Sequence, residues 1–212
     1  MTRVVSFIVL WIALIFMPVC AEAALSAETA EKVWLEVAEP TELKDLPFSV
    51  KSEDQPNAWV SNNESVTVTT GLLKILDTED ELYAVFAHEA GHIKLNHINK
   101  STSRNSGLSL ISVILGSIFR ESKLVGTAVN VGANLVSSGW SREQEIEADD
   151  YSVELASRHG RNPVGMYSAI DKMSKINKTE PSGFNSHPPD DRRMKHIKDK
   201  ILSIDPNAKF PE

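Results

Sequence analysis

His88-Glu89-Ala90-Gly91-His92 is the stretch of this chain whose residue types and spacing point to chemistry. Residues four apart on an α-helix share a face, so the two imidazoles can point at one metal ion. Glu89, one step round the helix from His88, then reaches a water on the open side of that metal. Two ligands and a proton-accepting carboxylate are the working half of a zinc hydrolase. A catalytic zinc site needs a third protein ligand. One solution is a histidine six residues after the second, but Ile98 stands there. His97 is one residue out of that register and reads as a helix-surface or packing histidine. The other solution is a glutamate from a later helix. The segment from Ser141 to Asp149 offers three: Glu143, Glu145 and Glu147.

The elements that must position these groups can be read from spacing. Ala27 to Ala38 sets Ala30, Val33, Trp34 and Val37 at helical intervals and stops before Pro40. Phe48-Ser49-Val50 alternates as a strand. Asn57 to Val60 and Ser65 to Thr69 read as two more, joined by the turn-forming Ser61-Asn62-Asn63-Glu64. Gly71 to Leu76 is a brief helix. Thr78 with Glu81 makes a capping box, opening a helix that runs to about Ile98 and carries the motif. Ser141 opens another helix, to about Arg158, and Gly160 ends it. Pro163 opens a further one, to about Lys175, and Pro188 or Pro189 the last, to near Ile204. Asn99 to Ser106 and Asn177 to Ser186 read as polar loops, and Gly126 to Leu135 is rich in small residues. The expected fold class is α+β: mainly helical, with a small β-sheet preceding the HExxH helix.

A length of 212 residues fits one domain plus a targeting segment. Thr2-Arg3, an apolar run from Val4 to Val19 and the small-x-small site Ala21-Glu22-Ala23 read as a signal peptide over 1–23. The domain then occupies 24–212, and the expected location is the periplasm. An uncleaved anchor or a lipidated Cys20 is the alternative, although Met17-Pro18-Val19-Cys20 matches a lipidation site poorly. Cys20 is the only cysteine, so cleavage leaves a domain without a disulfide. A net charge of −7 and the lack of a basic stripe argue against a nucleic-acid partner. Leu108 to Phe119 is strongly apolar yet too short to span a bilayer, which needs about 20 residues. It reads as a covered helix, the alternative being a flap with peripheral membrane contact.

The chain resembles the zinc metallopeptidase family that includes the prenyl-protein protease, HtpX, BepA and LoiP. The resemblance rests on Asn57-Ala58, Gly71-Leu72-Leu73, the HExxH helix, the SRxxExxAD segment from Ser141 to Asp149, and His187-Pro188 followed by Arg193. Asp149-Asp150-Tyr151-Ser152 and Arg192 to Ile197 are most similar to the small LoiP-like periplasmic members. The resemblance implies a gluzincin minimal protease domain. It implies that Glu145 is the third ligand, so that His88, His92 and Glu145 would hold one Zn2+ per chain. It implies that Asp149 holds a ligand histidine by its outer nitrogen, fixing the tautomer. Glu143 and Glu147 are then expected to point elsewhere, into solvent.

Glu89 would take a proton from the zinc-polarised water and pass it to the leaving amine. By the resemblance, His187 and Arg193 sit beside the metal and are candidates to stabilise the oxyanion. In relatives such a histidine can also cover the zinc and keep the enzyme latent. Substrate would bind as an added strand along Asn57 to Val60, a mode that reads backbone more than sequence. The expected substrates are therefore unfolded or misfolded proteins, outer-membrane proteins or their assembly machinery among them. The alternative is a non-proteolytic zinc-binding chaperone or assembly factor for outer-membrane proteins, and Glu89 speaks against it. A zinc-stabilised structural domain would need a closed four-ligand site, for which only His187 is spare.

Overall fold

The computed structural model describes residues 24–61, 65–97, 140–177 and 191–211. The segment 1–23 expected to be a signal peptide, with Cys20, the segments 99–106 and 177–186 expected to be loops (but for Asn177), the segments 108–119 and 126–135, and His187 lie outside the described residues.

Helix α1, Ala27–Ala38, begins where the Ser26 hydroxyl accepts the Thr29 N–H at 3.0 Å. Its buried face is Ala30, Val33, Trp34 and Val37, the spacing of one helical stripe. Three strands follow: β1, Phe48–Lys51; β2, Ala58–Ser61; and β3, Ser65–Thr69. Their order is β1-β3-β2, with β1 parallel and β2 antiparallel to the central β3. The register puts Phe48, Val50, Val66, Val68, Ala58 and Val60 on one face. That apolar face meets the helices: Trp34 stacks on Phe48, and Phe86 packs edge-on to both. Trp59 lies on the opposite face, half-buried, with the Lys51 ammonium 5.7 Å from its ring. It is therefore not part of this core.

Helix α2, Thr70–Ile75, starts directly from β3. Gly71 is required there, because a Cβ would come within 2.1 Å of the Asp54 carbonyl oxygen. Helix α3, Glu79–Lys94, opens with the expected capping box between Thr78 and Glu81. Every residue from Glu81 to His92 is buried, so this helix runs through the middle of the molecule. It ends four residues before Ile98, earlier than periodicity implies. Asn96 adopts φ 58, and its N–H bonds the Ile93 carbonyl at 2.9 Å. A left-handed residue closes a helix, and asparagine tolerates that conformation better than most side chains.

Helix α4, Arg142–Arg158, has its own capping box between Ser141 and Gln144, and Gly160 turns the chain at φ 71. Helix α5, Val164–Asn177, and helix α6, Asp191–Ile204, complete the α+β architecture. The α6 stripe of Arg193, Ile197 and Ile201 is buried at intervals of four. Its two isoleucines join the core, whereas Arg193 needs charged partners to be buried at all.

Candidate metal centre

Helices α3 and α4 run antiparallel in close contact. The Ser152 hydroxyl donates to the Ala84 carbonyl at 2.7 Å, His88 meets Asp149, and His92 meets Glu145. A Cβ on Gly91 would lie 3.3 Å from the Ala148 Cα and 3.2 Å from the Tyr151 Cβ, so glycine lets the two backbones approach here. The i, i+4 pair His88 and His92 on one helix therefore confronts the i, i+4 pair Glu145 and Asp149 on the other.

Three donor atoms converge between these helices. The Nε2 atoms of His88 and His92 are 3.1 Å apart. Glu145 places Oε2 3.6 Å from the first and Oε1 3.5 Å from the second. Ligand atoms about 2.0–2.1 Å from a tetrahedral ion stand about 3.3 Å from one another, so the spacing fits zinc. The protonation pattern fits as well. The Asp149 carboxylate can only accept, and its Oδ1 lies 2.9 Å from His88 Nδ1, so that nitrogen carries the ring proton. The Nε2 of a neutral His88 is then a bare lone pair. A site lined by lone pairs and a carboxylate, all within 4.8 Å of one another, is complementary to a cation.

Glu143 and Glu147 are both exposed and neither belongs to this donor group. Glu147 is not simply solvated, however. Its Oε2 lies 2.9 Å from Nε2 of His97, and His97 Nδ1 lies 3.0 Å from His92 Nδ1. Expected as a surface or packing histidine, His97 is fully buried against His92. Trp140 stacks on the His92 ring with centroids 4.3 Å apart and planes 19° from parallel. Spacing along the chain points to none of these contacts except through Asn96, after glycine the residue type most often found closing a helix in a left-handed turn.

Arg193, expected beside the metal as an oxyanion candidate, lies against the donor group through Glu145. Its guanidinium is committed to carboxylates: Nε to Asp149 Oδ2 at 2.9 Å, Nη2 to Asp149 Oδ1 at 2.7 Å, and Nη1 to Glu145 Oε2 at 2.7 Å. Burial pushes the Asp149 carboxyl up, but the Arg193 charge and the hydrogen bonds from His88 and Arg193 outweigh it and hold it below the ordinary range. Asp149 thus stays an acceptor for His88. Glu89 is buried on α3 next to His88.

The family model described as peptidase family M48 matches residues 24–201, most of the chain and all of these groups. The chain belongs to peptidase family M48. Metalloprotease LoiP of Escherichia coli (strain K12) is 34% identical over 162 residues, covering 73% of this chain and 62% of LoiP. Metalloprotease YcaL of the same strain is 30% identical over 162 residues, 74% of this chain and 62% of YcaL. The beta-barrel assembly-enhancing protease of Yersinia pestis is 25% identical over 173 residues, 76% of this chain and 35% of that protein. This M48 chain therefore spans less than two thirds of the length of these curated relatives.

Proposed function

We propose that this chain is a zinc-dependent endopeptidase that cleaves unfolded or misassembled proteins of the cell envelope. The observation that carries the reading is the convergence of His88, His92 and Glu145 in an M48 chain, with Glu89 adjacent on the same helix. His88, His92 and Glu145 would hold the ion, which when bound supplies a Lewis acid for the scissile carbonyl and a water of lowered pKa. Glu89 takes a proton from the attacking water at its carboxylate and returns it to the leaving amine. Asp149 keeps the His88 Nδ1 proton in place, and Arg193 orients both Asp149 and Glu145.

Substrate binds in extended form along β2, an edge strand of the sheet that precedes α3. Pairing of this kind uses backbone groups, so an unfolded chain is the natural substrate class and a folded one is not. The envelope assignment draws on the signal-peptide pattern over 1–23, with mature protein starting at Ala24 in the periplasm. It is also supported by the name of the beta-barrel assembly-enhancing relative.

The test is digestion of casein and of an unfolded β-barrel protein, with and without a chelator, by the wild-type chain and by Glu89→Gln. Chelator-sensitive cleavage by the wild type alone is the expected result. Equal activity in Glu89→Gln, or activity indifferent to chelation, rejects the reading.

A further inference from the structure

We propose that His97 and Glu147 form a strut that orients His92 and fixes the tautomer in which it can ligate, making both of them positioning residues of the metal centre. The proposal rests on the reading of His88, His92 and Glu145 as metal ligands.

On an unbroken helix, positions five apart point about 140° away from each other, so His97 would face away from His92. The left-handed Asn96 ends α3 and brings the chain back over the His92 ring. Gln144, whose Oε1 accepts the Ser141 N–H in the α4 capping box, donates from Nε2 to the His97 carbonyl at 3.2 Å. Trp140 meanwhile stacks on His92. Two anchors outside α3 thus hold the pair of rings together.

The order of partners sets the protons. The Glu147 carboxylate only accepts, so it takes the hydrogen from His97 Nε2 at 2.9 Å. The Nδ1 of a neutral His97 is then an acceptor, and the hydrogen bond at 3.0 Å must be donated by His92 Nδ1. That leaves His92 Nε2 as a lone pair aimed at Glu145 and His88. A packing histidine would satisfy neither condition, since shape alone does not choose a tautomer. His88 gets the same instruction from Asp149, so each ligand histidine has its own outer acceptor, one direct and one through His97.

The experiment measures zinc affinity of the full chain by competition with a chromogenic chelator, the absorption spectrum with Co2+ as the metal, and melting of the metal-free protein. His97→Phe keeps a ring in the buried space but loses both hydrogen bonds, and should weaken zinc binding about 10–100-fold. His97→Asn offers Oδ1 to the His92 Nδ1–H and should restore most of the affinity. Glu147→Ala, at an exposed position where no cavity opens, should cost about 10-fold and shift the Co2+ bands while leaving metal-free melting unchanged. Wild-type affinity and an unchanged Co2+ spectrum in both His97→Phe and Glu147→Ala overturn the proposal. If His97→Phe does not fold, Glu147→Ala decides by the same criterion. A wild-type chain that takes up no zinc rejects the metal reading itself, a result distinct from tight binding that His97 and Glu147 do not influence.

Discussion

Arg193 grips Asp149 through two parallel hydrogen bonds, Nε to Oδ2 and Nη2 to Oδ1, while its third nitrogen reaches Glu145. All three side chains are essentially buried, so one guanidinium holds two carboxylates of α4 in place from α6. The fork geometry suits arginine and not lysine. Arg193→Met strands Asp149 and Glu145 as buried charges and should cost about 3–5 kcal/mol of stability, read from urea unfolding of the metal-free chain. Arg193→Lys should recover only part of it. A full-strength Arg193→Met would mean that the carboxylates are satisfied some other way.

Metal content separates the acids of α4. The donor group includes Glu145 but neither Glu143 nor Glu147. Glu145→Ala should leave zinc occupancy far below one per chain at micromolar metal, as measured by atomic absorption, whereas Glu143→Ala should match the wild type. Loss of metal in Glu143→Ala would place the third ligand elsewhere on the helix.

Glu89→Gln removes a base without removing a ligand. Zinc content and melting temperature should persist while peptide hydrolysis falls by about 10²–10⁴-fold. Such a variant should also retain bound substrate long enough to be isolated with it. Residual cleavage near the wild-type rate would transfer the base role to another group.

Tyr83 supplies a pH dependence remote from the metal. Burial pushes its phenol from 10 up to about 12, the nearby Arg161 cation pulling only partly the other way. A group whose folded-state value is raised contributes stability that is complete below its unfolded value, near 10, and is lost as pH climbs through about 12. The Tyr83 hydroxyl is buried and meets no hydrogen-bond partner among the described residues. Tyr83→Phe should therefore be neutral to about 1 kcal/mol stabilising near neutral pH, with a larger advantage at high pH. Parallel urea titrations at about pH 8 and about pH 11 would falsify this if the two proteins lost stability equally.

His88, Glu89 and His92 were legible in the sequence because their arrangement on one helix is local, whereas spacing left Glu143, Glu145 and Glu147 open and only the family resemblance singled out Glu145 and Asp149. Spacing of four sets a shared face, and Thr78/Glu81 and Ser141/Gln144 announce where the helices start. The apolar stripe of α1 and the alternation of the strands are local in the same sense, which is why the α+β class followed from pattern alone.

Only the tertiary structure decided what those faces meet. Periodicity carried α3 on to Ile98, because a single left-handed residue at Asn96 breaks a helix without changing its hydrophobic pattern. His97 consequently reads as a bystander in one dimension and as the partner of His92 in three. Arg193 reads as a cation near the chemistry, but whether it faces an oxyanion or two carboxylates depends on how α6 lies along α4. Both helix contacts of α4 join residues more than forty apart in the chain: with α3 through the close approach at Gly91 and Ala148, and with α6 through the Arg193–Asp149 bond beside the buried Ile197 and Ile201. Hydrophobic spacing specifies that a helix buries a face; the backbone separation and angle at which two such faces meet belong to the packed molecule.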